Sequence, residues 1–351
     1  IVTSINGHSV NPSIMNDMGF MDLERIEVLN GPQGTLFGRN SVAGVINLIT
    51  ARPTGEFEGY VDYESGNYDK ETVKGAINMP ISDTVRARLA FMTNTRDGMV
   101  ENTRNQIGMD GQNTVTEKMD DRNDQAIRLS IDWDINDVTE LKFTYSGQKS
   151  DDNRPQEEVS YCQQDAFFGC SPWERGTPNT AADSRGIGAG LFSFIAALYP
   201  GTITNDYRFS PTTSELNKLA IDRKPTHVQD IEFSNLELVR ELSDNLTMTA
   251  KYSYETRRFQ QMNDNDGSTS FAPFIGAGAG LGLPPVESEQ CFGTPTFGFC
   301  EYVTTDRTYD FSDVSYESQQ AEINIISDFD GPLNYTAGFY MYDSRNDNEY
   351  R

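Results

Sequence analysis

The sequence predicts an all-β fold made of antiparallel strands of a transmembrane β-barrel. Three observations predict it: apolar and polar residues alternate strictly over many segments, tight turns alternate with long polar connections, and aromatic residues are abundant in a polar chain. Hydrophobic residues make up 36% of the 351 residues and the mean hydropathy is -0.56, yet there are 16 Tyr and 20 Phe. In a barrel wall, lipid-facing residues alternate with water-facing ones, which gives this composition.

The alternation has the period of two that is typical of a half-buried strand. In Phe57–Glu64, for example, Phe57, Val61 and Tyr63 alternate with acidic residues. Nine such segments begin at Phe57, Thr72, Val85, Ile127, Leu141, Ile231, Leu246, Ala321 and Leu333. In the segment Ile231–Arg240 the parity slips from Phe233 to Leu236, which predicts a β-bulge there.

The connections between these segments differ in length on the two sides of the predicted sheet. Tight turns are expected near 80–83, 135–137, 243–245 and 329–332, and long polar connections near 97–122, 150–226 and 260–317. Among the connections on the side of the long loops, only the one at 66–70 is short. Short periplasmic turns opposite long extracellular loops are the habit of outer-membrane barrels, which have an even number of strands in bacteria. We therefore expect further strands beyond Arg351.

Charge and hydropathy narrow the function classes. A formal net charge of -25 argues against nucleic acid as a partner, because phosphates would be repelled. No segment has the roughly 18 to 20 consecutive apolar residues of a membrane-spanning helix. No nucleophile elbow, zinc-protease motif or metal-ligand cluster is present, so the sequence predicts no catalytic residue, no metal site, no cofactor and no enzyme.

The four cysteines form two close pairs in Gly-, Pro- and Asn-rich segments, Cys162 with Cys170 and Cys291 with Cys300. Local disulfides in an oxidising compartment explain this spacing better than a zinc site, since the paired CxxC spacing of zinc sites is absent.

The first fifty residues differ from the rest. They contain DLERIEVLN (Asp22–Asn30), then GPQGTLFGRN (Gly31–Asn40), then SVAGVINLITARP (Ser41–Pro53). This run closely resembles the plug-domain signature of TonB-dependent receptors over about thirty successive positions. The resemblance implies a small α/β plug domain inside a barrel of 22 strands. We therefore interpret 1–53 as the C-terminal part of the plug and 54–351 as the N-terminal part of a receptor barrel, with about nine of the 22 strands.

Each part of the plug signature has a physical interpretation. Apolar residues on both sides of the turn predict two buried strands. The glycines allow tight turns or positive φ, and Pro32 fixes the exit from the first strand. We expect the charged residues to be paired with charges of the barrel wall. The predicted signature residues, structural or gating, are Glu24, Arg25, Glu27, Gly31, Pro32, Gly34, Gly38, Arg39, Gly44 and Asn47.

The resemblance implies active uptake of a scarce ligand across the bacterial outer membrane, with the inner-membrane protein TonB as the energy-transducing partner and outer-membrane lipid or lipopolysaccharide around the barrel. The expected ligand is a ferric siderophore; cobalamin, haem or an oligosaccharide, and a passive porin-like channel, are the alternatives, with a soluble adhesin third. The segment His8–Phe20 is expected to be an apical loop of the plug. His8, Asn11 and Asn16 are therefore candidate ligand contacts. A signal peptide and TonB box are expected upstream of Ile1.

Overall fold

The computed structural model describes residues 2–12, 20–34, 41–102, 118–154, 218–219, 224–264, 288–292, 299–303 and 309–350. Four strands form a small sheet, the plug sheet: β1 (Val2–Ile5), β2 (His8–Val10), β3 (Leu23–Asn30) and β4 (Gly44–Thr50). Nine strands form a large sheet, the wall: β5 (Glu58–Gly66), β6 (Lys70–Pro80), β7 (Val85–Arg96), β9 (Arg122–Asn136), β10 (Thr139–Asp152), β12 (Thr226–Ser243), β13 (Leu246–Asp264), β16 (Tyr309–Ser327) and β17 (Thr336–Tyr350). Two short pairs join β8 (Glu101–Asn102) to β11 (Lys218–Leu219) and β14 (Ser288–Phe292) to β15 (Phe299–Val303).

The wall is an antiparallel meander in which each strand pairs with the next one along the chain. Its nine strands are the nine that alternation predicts. The connections 81–84, 137–138, 244–245 and 328–335 lie at one end, the turn side, and the long connections lie at the other, the loop side. The all-β antiparallel architecture is thus confirmed. Within the described residues, no helix is long and apolar enough to cross a membrane.

The two faces of the wall have opposite chemistry. The inward face of β9 and β10 buries polar side chains, which include Arg128, Ser130, Asp132, Thr144 and Ser146. The outward face exposes large apolar side chains, which include Phe91, Ile127, Trp133, Leu236, Tyr252, Ile323 and Phe339. A soluble sheet would bury its apolar face instead. An outward apolar face and a polar interior are the arrangement of a membrane barrel.

The bulge expected in β12 is absent. The pairing of β12 with β10 and β13 runs without a shift from Thr226 to Arg240, and the one irregularity follows at Glu241. The parity slips because Ile231 and Phe233 face inward and are buried, at 1% and 0% exposure, whereas Leu236 faces outward. The two inward apolar residues pack against the plug sheet. The apolar positions therefore change from the inward to the outward face because the inward face meets the plug there, and the backbone pairing stays regular.

The plug sheet has the strand order β2-β1-β4-β3, with β1 and β4 parallel and the other pairs antiparallel. Asn6 and Gly7 connect β1 to β2 with positive φ of 52° and 75°, as a type I′ hairpin turn requires. The strand β4 is buried as predicted, but β3 is an edge strand. Ile26 and Val28 are 50% and 64% exposed, so the expectation of two buried strands is wrong for β3.

Candidate functional site

Asp22 connects the plug to the wall. Its carboxylate accepts two hydrogen bonds from Arg88 on β7, with Nε 2.8 Å from Oδ2 and Nη2 2.7 Å from Oδ1. Tyr60 on β5 also donates to Oδ1, at 3.1 Å. The paired side chains are only 11% and 5% exposed. Removal of one partner of a bidentate ion pair that is shielded from water leaves an uncompensated charge, which costs much more than the loss of a surface pair, so Asp22 is a clamp between plug and wall.

Two further arginines bridge the same interface. Arg128 on β9 is 2% exposed; it donates from Nε to Ser146 Oγ at 3.0 Å and from Nη1 to the carbonyl of Met21 in the plug. Arg52, in the segment that joins plug to wall, forms an ion pair with Asp132 and donates to Thr144 Oγ1 at 3.0 Å. The plug is therefore held at both ends of its β3–β4 hairpin, by Met21 and Asp22 before it and by Arg52 after it.

An apolar contact completes the interface. Ile5, Val10 and Leu48 of the plug pack with Ile231 and Phe233 of the wall. His8 lies beside them, 2% exposed, with its ring edge-on to Phe233 at a centroid distance of 6.5 Å. Burial, followed by the positive charges of Lys251 and Arg52, lowers the pKa of His8 to about 3. His8 is therefore a neutral residue of the plug–wall core.

The three predicted ligand contacts fall in different places. His8 is on the buried strand β2 and not in an apical loop, so the expected placement is wrong for this residue. The reason is that its apolar neighbours on β1 and β12 bury the β1–β2 hairpin. The Asn11 backbone amide donates to Glu255 Oε2 of the wall at 3.3 Å. Asn16 lies outside the described residues.

Asn47 organises the interior of the plug sheet. Its Oδ1 accepts hydrogen bonds from Ser4 Oγ at 2.8 Å and from the Gly7 amide at 3.0 Å, and its Nδ2 donates to Glu27 Oε2 at 3.0 Å. One buried side chain thus ties β1, β3 and β4 together. The hydrogen bond that Asn47 donates to Glu27, followed by the one that Arg25 donates, lowers the pKa of Glu27.

The other signature residues are structural where they are described. Gly31 has a φ of 83°. Gly44 has a φ of 142°, and a Cβ there would lie 2.5 Å from the Leu29 carbonyl oxygen, so only glycine fits. Pro32 follows β3 as expected, whereas Gly34 has no positive φ. Gly38 and Arg39 lie outside the described part of the chain.

The described signature charges do not reach the wall through the ion pairs that were expected. Arg25 pairs with Glu24 and Glu27 along its own strand, and the Arg25 and Glu24 side chains are about half exposed. The hydrogen bond that Arg25 donates to Glu27 is the largest cause of the raised pKa of Arg25. The connections to the wall come from Asp22 and Arg52 instead. Alternation on a single strand could not reveal them, because their partners lie on distant strands.

A cavity of about 410 Å³ lies on the inward face at the loop side of the wall. We call it the loop-side cavity. Its lining is polar apart from one methionine, and four of its eight residues are basic: Lys70, Met92, Asn94, Arg96, Arg122, Asp124, Gln148 and Arg154. Acidic residues hold the arginines in place, since Asp120 lies 2.9 Å from Arg96 and 2.8 Å from Arg122. Guanidinium groups fixed in this way can bind anionic oxygen atoms with little loss of side-chain entropy.

Two lining atoms of the loop-side cavity keep hydrogen-bonding capacity. Among the described residues, Arg96 Nε and Gln148 Oε1 are buried without a hydrogen-bond partner. A buried donor or acceptor without a partner is costly. The cavity therefore offers both a donor and an acceptor to a polar occupant.

The cysteine pairs are tested only in part. The register of β14 and β15 places Cys291 directly opposite Cys300. Opposite residues in an antiparallel pair have Cα atoms about 4.5–5.5 Å apart, which suits a disulfide. Cys162 and Cys170 lie outside the described residues, and both disulfides stay predictions.

Comparison with known sequences identifies the first part of the chain. The family model of the TonB-dependent receptor plug domain matches residues 1–45. The ferric-pyoverdine 358 receptor of Pseudomonas putida is 31% identical over 86 residues, 24% of this chain and 10% of that protein. The pesticin receptor of Yersinia enterocolitica is 36% identical over 62 residues, 18% of this chain and 9% of that protein. Both relatives are named as receptors and not as enzymes.

Solved structures share the fold over almost the whole chain. The ferripyoverdine receptor of the Pseudomonas aeruginosa outer membrane matches with a TM-score of 0.57 and 13% identity over 98% of this chain and 36% of its own. The siderophore receptor PiuA of Acinetobacter baumannii matches with a TM-score of 0.56 and 14% identity over 99% of this chain and 38% of its own. The chain thus spans less than half the length of these structures. Residues 1–45 thus match the plug domain of TonB-dependent receptors, and the chain as a whole shares the fold of these solved outer-membrane receptors.

Proposed function

We propose that this chain is part of a receptor that takes up a ferric siderophore across the bacterial outer membrane with energy transduced by TonB. The observation that carries the proposal is the clamp of Asp22 on Arg88 and Tyr60, which holds a plug against the polar face of a wall whose other face is apolar. An apolar outward face suits lipid. The plug sheet and the wall are separate sheets that meet through side chains, so the plug can be released without breaking the strand pairing of the wall.

The ligand class is supported by the loop-side cavity. Arg96, Arg122 and Arg154 are fixed there by acidic neighbours, and Arg96 Nε keeps a donor that the described residues do not use. Iron chelates that carry anionic oxygen donors match this lining. Several relatives are named as receptors of ferric siderophores, which supports the same class. We further propose that the domains divide between residues 53 and 54, in the segment that separates β4 from β5.

The test is uptake of radiolabelled ferric siderophore by iron-starved cells that carry the full-length receptor, with and without TonB. We expect uptake and outer-membrane localisation in the presence of TonB and no uptake without it. Uptake that persists without TonB would favour a passive channel. Uptake of cobalamin, haem or an oligosaccharide in place of the iron chelate would keep the transporter class and overturn the ligand.

A matched pair of variants connects the test to the structure. Arg96→Gln changes the loop-side cavity, whereas Lys74→Gln removes a half-exposed cation that is paired with Asp62 outside it. If the cavity binds the chelate, only Arg96→Gln should weaken uptake. Equal uptake by both variants would contradict its assignment as the ligand site.

A further inference from the structure

The segment that joins the plug to the wall, residues 52–56, changes its partners at a defined point. We call this segment the linker. The residue before it still belongs to the plug, since the Ala51 amide donates to the Asp22 carbonyl at 3.0 Å. The first linker residue contacts the wall instead, because Arg52 donates from Nη1 to Thr144 Oγ1 at 3.0 Å. The change from plug contacts to wall contacts therefore falls between Ala51 and Arg52.

Asn78 on β6 holds the other end of the linker. Its Oδ1 accepts a hydrogen bond from the Thr54 amide at 2.8 Å, and its Nδ2 donates to the Thr54 carbonyl at 2.9 Å. The same Nδ2 also lies within hydrogen-bond distance of the Glu56 carbonyl. An amide side chain has both a donor and an acceptor, so it can take the place of a peptide group of a neighbouring strand. Because Asn78 binds backbone atoms, it fixes the path of the linker.

The attachments of the linker and of the plug lie side by side on the wall. Strand register places one inward residue from each of four neighbouring strands in a single row, in the order Asn78, Arg88, Ser130 and Thr144. Arg88 binds Asp22 of the plug, and it lies between the two residues that bind the linker. Within one row, the wall thus holds the plug and the linker by different residues.

The order of the chain separates these contacts mechanically. Asp22 precedes the β3–β4 hairpin and Arg52 follows it, so a pull from the N-terminal side loads the clamp and the plug sheet before the linker. The ring of Pro53 fixes its own φ and restricts the conformation of Arg52. Hinges are a few residues at the ends of structural elements that absorb a change of backbone angle. Ala51, directly after β4, is the nearest residue that meets this description.

We propose that the linker stays bound to the wall when the plug is released, that the plug turns at Ala51, and that Asn78 is the residue that positions the linker. The clamp of Asp22 on Arg88 opens, whereas the linker keeps its contacts with the wall. This inference rests on the proposed function, because it requires release of the plug by TonB.

The experiment compares two cross-links in this row of the wall, in iron-starved cells that carry the full-length receptor and TonB. The linker pair is Thr54→Cys with Asn78→Cys, and the plug pair is Asp22→Cys with Arg88→Cys. A short bifunctional methanethiosulfonate joins the two thiols of each pair, and a reductant removes it. Uptake of radiolabelled ferric siderophore is measured in each state, with the unchanged receptor under the same reagents as the control.

We expect the cross-linked linker pair to take up the chelate as the unchanged receptor does, and the cross-linked plug pair to take up none. Before cross-linking and after reduction, the linker pair should show roughly tenfold less uptake, the equivalent of one lost buried hydrogen bond. Recovery on cross-linking separates positioning from a structural role, since a bond to the linker would not restore a misfolded wall.

Each other outcome has a definite meaning. Loss of uptake by the cross-linked linker pair would overturn the proposal, because the linker would then have to leave the wall. Full uptake by the same pair without the cross-link would also overturn it, since Asn78 would position nothing. Uptake by both cross-linked pairs would mean that the plug does not turn at Ala51, which contradicts the proposal as well.

A second pair keeps the test decisive if Asn78→Cys prevents folding. Arg52→Cys with Thr144→Cys ties the linker to the wall at its other end, with Asn78 in place, and the cross-linked receptor should again take up the chelate. An unchanged receptor without TonB-dependent uptake would overturn the proposed function itself. Loss of uptake that is confined to the cross-linked linker pairs overturns only this inference.

Discussion

The inner wall has two regions that use arginine differently. On β7, Arg88 pairs with Asp22 of the plug, whereas Arg96 on the same face pairs with Asp120 near its own strand. On β9, Arg128 donates to a plug carbonyl, whereas Arg122 pairs with Asp120. Where the acceptor of the arginine lies on the plug, the arginine holds the plug against the wall. Where the acceptor is Asp120, the arginine is positioned without the plug and is available to bind a ligand.

The contrast assigns separate roles to the two regions. We call the region around Arg88 and Arg128 the plug-bound wall, and the region around Arg96 and Arg122 the ligand wall. A change in the plug-bound wall should alter plug retention, and a change in the ligand wall should alter binding but not retention.

The largest effect is expected for Phe233→Ala, which removes the aromatic ring that is fully buried against Ile5, His8 and Leu48. Deletion of a buried phenylalanine costs about 3–5 kcal/mol. The measurement is thermal and denaturant unfolding of the full-length receptor in detergent. Leu236→Ala, outward on the same strand and 39% exposed, is the control. A loss no larger than that of the control would show that the plug does not pack on β12.

Asp22→Asn should weaken plug retention by about 3 kcal/mol, because it leaves Arg88 shielded from water without its anionic partner. Limited proteolysis of the plug in the intact receptor measures this. Glu24→Gln changes a half-exposed pair two residues further along the chain, in β3, and should cost less than about 1 kcal/mol. Equal protease sensitivity of the two variants would remove the distinction between clamp and surface pair.

The buried imidazole of His8 predicts a dependence of stability on pH. Its pKa falls from 6.5 to about 3 in the folded plug, so the unfolded plug binds a proton that the folded plug does not bind between these values. Stability should therefore decrease as the pH falls through this window, by about 2 kcal/mol between pH 7 and pH 5. His8→Phe should reduce this decrease. Identical pH profiles for the two proteins would mean that His8 is accessible to protons.

Arg96→Gln should weaken binding of an anionic ferric siderophore about tenfold, the equivalent of one charged hydrogen bond of roughly 1.5 kcal/mol. Plug retention should not change, since Arg96 pairs with Asp120 and, among the described residues, does not contact the plug. Quenching of intrinsic fluorescence on titration measures the affinity. A variant that loses the plug and keeps its affinity would reverse the roles of the two regions.

The smallest effect on the wall is expected from the cysteines. Double replacement of Cys291 and Cys300 by Ser should leave the unfolding of the wall unchanged, because the β14–β15 pair is separate from the nine-stranded sheet. Intact mass after alkylation, with and without reductant, shows whether the two thiols are bridged. Alkylation of both cysteines without reductant would contradict the disulfide.

Alternation predicted the wall because each strand has one apolar, outward-facing side, and the positions of all nine strands follow from that pattern. The same rule failed at Ile231 and Phe233, whose parity depends on a plug strand far away in the sequence. The rule also could not show that β3 is an edge strand, since an exposed apolar residue such as Val28 has the same sequence pattern as a buried one.

The candidate site was less predictable than the fold. The signature predicted Glu24 and Arg25 as charged residues of the interface, but these two side chains pair with each other. Asp22 and Arg52, which contact the wall, were not among the predicted residues. A single sequence carries no information on which charge meets which across the interface. Asn6–Gly7 was a readable signal for a hairpin turn, and it would have placed His8 at the start of a strand.

The most direct test of the account is a cross-link between plug and wall at the clamp. A short bismaleimide should join the thiols of Asp22→Cys and Arg88→Cys in the full-length receptor, because the two side chains are in contact. We expect the cross-linked receptor to bind its ligand and to lose TonB-dependent uptake, with each single variant still active. Undiminished uptake by a fully cross-linked receptor would contradict the account, since the plug would then not need to leave the wall.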